Sequence, residues 1–199
     1  MAKRKVRPKS EGSERVSKYK QLKEEWKGCT DCELHKTADR KVFARGKLPC
    51  DVLFVGEAPG PAENDVGQPF VGRSGEFLDQ WIAMVQKETY NFSTCITNVV
   101  CCYPGRNPQG GFNKPGRIEV DRCRPRLREF IKIASPKCIV TLGKVADEWG
   151  WGAVPVSVKT VYHPSYLLRN GGMSSVQFQR THITLIYFIR SVLMDNWEG

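Results

Sequence analysis

The chain has 199 residues, 26% of them charged, with a formal net charge of +10, which suits one domain with a substantial core plus a tail and points to a polyanionic partner. No apolar run reaches the roughly 20 residues needed to span a bilayer, and the basic N-terminus lacks the apolar stretch of a signal peptide, so no membrane partner and an intracellular, cytoplasmic setting are expected. Thiols stay reduced there, so the eight cysteines read as metal ligands or small core residues rather than a disulfide framework.

Residues 1–28 hold ten Lys/Arg against four Asp/Glu, +6 of the +10. The first twelve read as a basic disordered tail, either solvated or serving as a nucleic-acid arm. Residues 13–199 read as a single domain, expected as a monomer. Val16, Tyr19, Leu22 and Trp26 recur at near-helical spacing and predict a helix over 13–27, ended by Gly28. A buried strand is predicted over 51–56, then a Gly/Pro loop and a helix over 75–86 with Leu78, Trp81, Ile82 and Val85 on one face. A second strand follows over 94–100 and a Pro/Gly/Asn-rich loop over 103–116. The helix over 118–134 turns Val120, Cys123, Leu127 and Ile131 inward. A third strand spans 137–142, a helix runs from Gly143 to about Trp149, and a fourth strand spans 156–162. Residues 163–170 form a loop or short helix, and a last helix spans 176–196.

Strands alternating with helices imply a three-layer α/β/α sandwich around a central four-stranded, mostly parallel sheet. Ligand sites in such folds lie at the carboxyl ends of the strands. The ends of the first, second and fourth strands carry Glu57, Asn98 and His163. The loop after the first strand, with a carboxylate (Glu57), an aromatic (Phe70) and several glycines, suits a flat polar ring. Each residue also has a plainer role: Glu57 capping loop N–H groups, Asn98 forming a turn, Phe70 packing in the core. His182 lies at helical spacing from Phe178, Leu185 and Ile189 and reads as a packed core histidine; His35 reads as a surface residue or a neighbour of the cysteines.

Cys29 and Cys32 form a C-x-x-C after the first helix; Cys102 follows the second strand, and Cys123 lies on the inward face of the next helix. Four thiolates from three segments can hold a four-iron four-sulfur (4Fe-4S) cluster or a tetrahedral zinc; the alternative for Cys102 and Cys123 is packing as small hydrophobes. Cys50, Cys95 and Cys138 sit at or in strands and read as core. Cys101 is ambiguous, and strand alternation predicts that only one of Cys101 and Cys102 faces the metal.

Cys29-x-x-Cys32, Gly56-Glu-Ala-Pro-Gly60, Gly67-Gln-Pro-Phe-Val-Gly72, Thr97-Asn-Val-Val100 before Cys102, Leu142-Gly143 and His163-Pro-Ser-Tyr-Leu-Leu-Arg169 together resemble the iron–sulfur uracil-DNA glycosylases, family four of their superfamily. The motifs span roughly residues 29–170 in the family's order. The resemblance implies DNA containing uracil as partner and a 4Fe-4S cluster held by Cys29, Cys32, Cys102 and Cys123. It implies that uracil flipped out of DNA stacks on Phe70 and is read by Asn98 in a pocket shared with Gly56, Ala58, Pro59 and Gly60. Glu57 would lie beside the attacking water and His163 beside the uracil carbonyl. The chain departs from the pattern at Cys101, where a lysine is common, in the glycine-rich loop of 103–116, and in its tail. One branch of the superfamily links covalently to DNA through a histidine in the loop after the second strand; residues 103–122 contain none.

These residue types suit the chemistry. Breaking an N-glycosidic bond develops positive charge on the sugar and negative charge on the departing base, which His163 can stabilise by donating to O2. The base must leave the duplex first. Arg73, Arg169, Ser165 and loop N–H groups are candidates for DNA contact, and Leu167 and Leu168 for an apolar wedge or for the core. The alternatives are a glycosylase for another modified or deaminated base, or a non-catalytic DNA-binding member of the fold. A zinc deaminase would need H-x-E with P-C-x-x-C, and neither is present.

Overall fold

The computed structural model describes residues 9–148 and 154–194. Its helices are α1 (Lys9–Trp26), α2 (Pro61–Val66), α3 (Arg73–Glu88), α4 (Arg117–Ala134), α5 (Lys144–Glu148), α6 (Pro164–Arg169) and α7 (Val176–Met194). The strands are β1 (Ala44–Gly46), β2 (Val52–Gly56), β3 (Thr94–Asn98), β4 (Cys138–Leu142) and β5 (Ser157–Val161). They form one sheet in the order β1-β3-β2-β4-β5, parallel except for β1, which pairs antiparallel with β3. The architecture is α/β as expected, but with five strands rather than four. β1 escaped the reading because three residues, Ala-Arg-Gly, carry no alternation; short strands of this kind are typical of sheet edges.

β2 and β4 are buried along their whole length, as strands covered on both faces must be. Alternation then sorts their side chains into two cores. Val52, Phe54, Ile96 and Val140 face α3 and α7, meeting Leu78, Trp81, Phe178 and Leu185. Leu53, Val55, Cys95 and Ile139 face the other layer, meeting Leu22, Leu127 and Phe130. Full burial of each such side chain is worth about 1.5–3 kcal/mol. His182 is a core residue: Trp81 Nε1 donates to its Nδ1 (3.0 Å), and its Nε2 lies 2.8 Å from Glu88 Oε1.

α1 begins four residues before the predicted start, so residues 9–12 belong to a helix; residues 1–8 lie outside the described ones. Arg15 anchors its first turns by pairing with Glu11 and donating to the carbonyls of Lys132 and Ile133 at the end of α4 (3.0 and 2.8 Å). Val16 is exposed rather than inward. On α4 the buried stripe runs through Val120, Cys123, Arg126, Leu127 and Phe130, with Ile131 only half-buried at its flank. A buried arginine is against every compositional expectation.

Candidate active site and thiol centre

Gly56 and Asn98 end β2 and β3 in direct register. A Cβ on Gly56 would fall 2.4 Å from Asn98 Oδ1 and 2.5 Å from Phe70 Cζ, so the amide and the ring both close against bare backbone. Asn98 is 1% exposed, and its Oδ1 is buried with no hydrogen-bond partner among the described residues. An orphaned buried acceptor costs about 1–3 kcal/mol, which a ligand N–H would recover.

Phe70 adopts a left-handed backbone (φ 56°), unusual for an aromatic residue. Arg45 of β1 holds it there, donating from Nε to Pro69 O (2.9 Å) and from Nη2 to Phe70 O (3.2 Å) while pairing with Asp79. α3 closes beneath it. A Cβ on Gly75 would meet Phe70 O at 1.8 Å, so only glycine fits. Gly75→Ala should lower stability by about 1–3 kcal/mol, the range for overpacking a tight core; a chemical-denaturation midpoint checks this, and an unchanged midpoint would contradict the geometry.

Glu63, in the first turn of α2, joins the two glycine loops. Its Oε2 accepts from Gly60 N (3.0 Å) and its Oε1 from Val71 N and Gly72 N (3.0 and 3.1 Å). Its signal in the sequence is Gly60-Pro61 followed by Glu63, a helix-start pattern. Glu57 is therefore not the carboxylate that ties this loop together. It is half-buried, and burial raises its pKa above the ordinary carboxylate value, with Lys114 opposing. In the same loop Pro59 is buried and Ala58 half-buried.

His163 caps α6. Its Nδ1 lies 3.1 Å from Ser165 N and 2.8 Å from Ser165 Oγ. A backbone N–H can only donate, so Nδ1 is an acceptor and the neutral ring carries its proton on Nε2. The ring lies 6.0 Å from Phe70, centroid to centroid. Gly143 (φ +89°) passes close behind it, where a Cβ would stand 3.3 Å from His163 Cβ. Burial lowers the His163 pKa to about 4, with Arg169 adding to the effect.

Ser165, expected at DNA, is engaged in orienting His163. Leu167 is not a surface wedge: it is fully buried in the core, because α6 packs that face against α3. Leu168 is half-buried, while Arg73 and Arg169 are exposed. The exposed apolar surface beside His163 is instead Tyr162 and Tyr166, stacked with centroids 4.9 Å apart. Their placement around His163 was visible in the sequence; their exposure was not.

Cys29, Cys32, Cys101, Cys102 and Cys123 line one cavity together with Trp26, His35 and Arg122. Both Cys101 and Cys102 line it, which strand alternation does not lead one to expect. β3 ends at Asn98, so strand alternation no longer applies at residues 101 and 102. Cys123 Sγ lies 3.8 Å from Cys101 Sγ. A hydrogen bond from Cys101, with Lys41 nearby, lowers the Cys102 pKa, whereas burial raises that of Cys32. Among the described residues no three His, Cys, Asp or Glu side chains converge on a single ion's position; a cluster bonds each thiolate at a separate corner, so its ligands need not do so. An all-sulfur donor set from three chain segments fits a 4Fe-4S group. Cys50, Cys95 and Cys138 are buried elsewhere in the fold.

A buried amide and an aromatic ring closed against Gly56, with His163 6.0 Å from that ring, thus sit at the carboxyl edge of a largely parallel sheet in an α/β protein. The family model of the uracil DNA glycosylase superfamily matches residues 43–185, and the chain belongs to that superfamily. Its relatives include the Type-4 uracil-DNA glycosylase of Pyrobaculum aerophilum, 32% identical over 176 residues (77% of this chain, 86% of the relative). That of Thermotoga maritima is 33% identical over 168 residues (75% and 82%), and that of Sulfurisphaera tokodaii 31% over 186 residues (81% and 80%). No helix among the described residues is long and apolar enough to cross a membrane.

Proposed function

We propose that the protein is a monofunctional uracil-DNA glycosylase that takes uracil out of the DNA stack and hydrolyses its N-glycosidic bond, leaving an abasic site. The observation that carries this reading is the orphaned, buried Asn98 Oδ1 against Gly56 and Phe70. Uracil N3–H would donate to it and the amide N–H would donate to O4; cytosine, with an acceptor at N3 and a donor at C4, would mismatch both. Phe70 supplies the stacking face. His163 Nε2–H would donate to O2 as negative charge develops there, without transferring its proton. Glu57 would orient the water and stabilise the cationic sugar. Arg73, Arg169, Leu168 and the tyrosine pair would form the DNA-facing rim, with loop N–H groups near Gly60 and Gly72 contacting phosphates.

Cys29, Cys32, Cys102 and Cys123 would hold a 4Fe-4S cluster, which when bound would join the α1 end, the β3–α4 loop and α4. The four side chains line one cavity, and Cys102 follows Asn98, the last residue of β3, by four positions.

The test is alkali-developed cleavage of labelled DNA carrying one uracil, with wild type beside Asn98→Ala. Wild type should cleave. The variant should lose about 10-fold to 1,000-fold in kcat/KM, as expected when a buried polar reading contact is removed. No cleavage by a folded, brown wild type would favour another modified base or a non-catalytic DNA binder; equal cleavage by the variant would remove Asn98 from the reading role.

A further inference from the structure

We propose that Arg126 is a positioning residue that couples the thiol centre to the base-reading amide. Arg126 lies on α4, one turn after Cys123, and is 1% exposed. Its Nη2 donates to Asn98 O and Val99 O (2.7 and 2.8 Å), and its Nη1 to Thr97 Oγ1 (3.4 Å). The guanidinium thus grips the backbone that aims Asn98.

Its other neighbours are acidic only through sulfur or phenol. Cys123, Cys101 and Tyr19 stand beside it, and no carboxylate ion pair is formed with it among the described residues. A buried cation held only by two carbonyls and a hydroxyl is costly, and removing the partner of a buried charge costs more than the pair is worth. The countercharge that fits is the group that Cys123, one turn earlier on the same helix, would help to hold. One rigid, planar side chain therefore touches both the reading strand and the metal-binding helix. Lysine would supply the charge but not the fork.

The coupling rests on reading the thiols as cluster ligands and Asn98 as the base reader. Wild type serves as the control for that reading: a colourless or inactive wild type overturns the reading and the coupling with it. Given a brown, active wild type, Arg126→Lys and Arg126→Met are compared by the midpoint potential of the cluster, its rate of loss to an iron chelator, and kcat/KM on uracil-containing DNA. Arg126→Lys should keep potential and colour near wild type yet lose about tenfold or more in kcat/KM, the scale of a charge-assisted hydrogen bond. Arg126→Met should lose the same activity, lower the potential and release iron about tenfold faster, the scale set by losing a buried charge partner. A merely structural arginine would not separate the two variants in this way. The proposal is overturned if both variants keep potential, iron retention and kcat/KM at wild-type values. Should Arg126→Met fail to fold, Arg126→Lys decides: unchanged kcat/KM overturns the coupling.

Discussion

Replacing His163 with alanine should leave a folded, brown protein whose single-turnover excision of uracil is about 100-fold to 1,000-fold slower, the usual cost of removing one preorganised donor to a developing anion. The ring's hydrogen bonds are local, to Ser165, so its removal costs the α6 cap, about 1 kcal/mol, which a fold of this size tolerates. Because Nδ1 is committed as an acceptor, Nε2–H is the one proton the neutral ring can offer a base. Unchanged turnover in His163→Ala would take the residue out of the chemistry.

The same burial predicts a pH signature. Folding lowers the His163 pKa from its ordinary value to about 4, so between roughly pH 6.5 and 4 the unfolded chain binds a proton that the folded one does not. The histidine's contribution to stability is complete above the ordinary histidine value and is lost as pH falls through this window. Turnover by wild type should show no inflection between pH 6 and 7 from this group. An acid limb set by Glu57 should instead lie above the ordinary carboxylate value, since burial raises that pKa. A pH–rate profile with a break near 6.5 that disappears in His163→Ala would mean the ring works as a cation.

Cys123→Ser should abolish the visible, dithionite-bleachable absorbance of the cluster and destabilise the protein by several kcal/mol, since metal binding in such sites contributes directly to folding. Cys101→Ser should keep the colour. The pair matters because the two sulfurs lie 3.8 Å apart on the same cavity, close enough for either to be suspected as the ligand. A brown Cys123→Ser beside a bleached Cys101→Ser would exchange their assignments, and a protein that binds zinc without colour would replace iron–sulfur altogether. The loss in Cys123→Ser should also reach the reading site, because Cys123 shares its helix with Arg126.

Much of this protein is legible in one dimension. Central strands buried on both faces must be apolar along their length, so β2 and β4 stand out as runs of Val, Leu, Ile and Phe. Helices packed on one side must repeat every three or four residues, so α3 and α7 show their stripes. Glu57, Asn98 and His163 could be placed at one edge because parallel strands all end on the same side. Gly56 and Asn98 follow as neighbours from the same rule once register pairs them.

Other features have no local period to reveal them. β1 is too short to alternate, and α2 too short to show a stripe. Which leucine of α6 faces outward depends on how α3 packs against it: Leu167 is buried, while Tyr162 and Tyr166 meet solvent. That both Cys101 and Cys102 face one cavity depends on where β3 stops. Arg45 supporting Phe70, Glu63 reaching Val71 and Arg126 reaching Asn98 and Val99 are contacts between residues 8 to 28 positions apart. Burying a charge is favourable only when partners already surround it, and those partners are assembled by folding. The layered α/β class, the motif order and the edge of the sheet where the chemistry gathers can be read along the chain, because periodicity and strand direction are local properties. Which polar side chains hold that edge in shape is set by packing, because their partners become neighbours when the layers close.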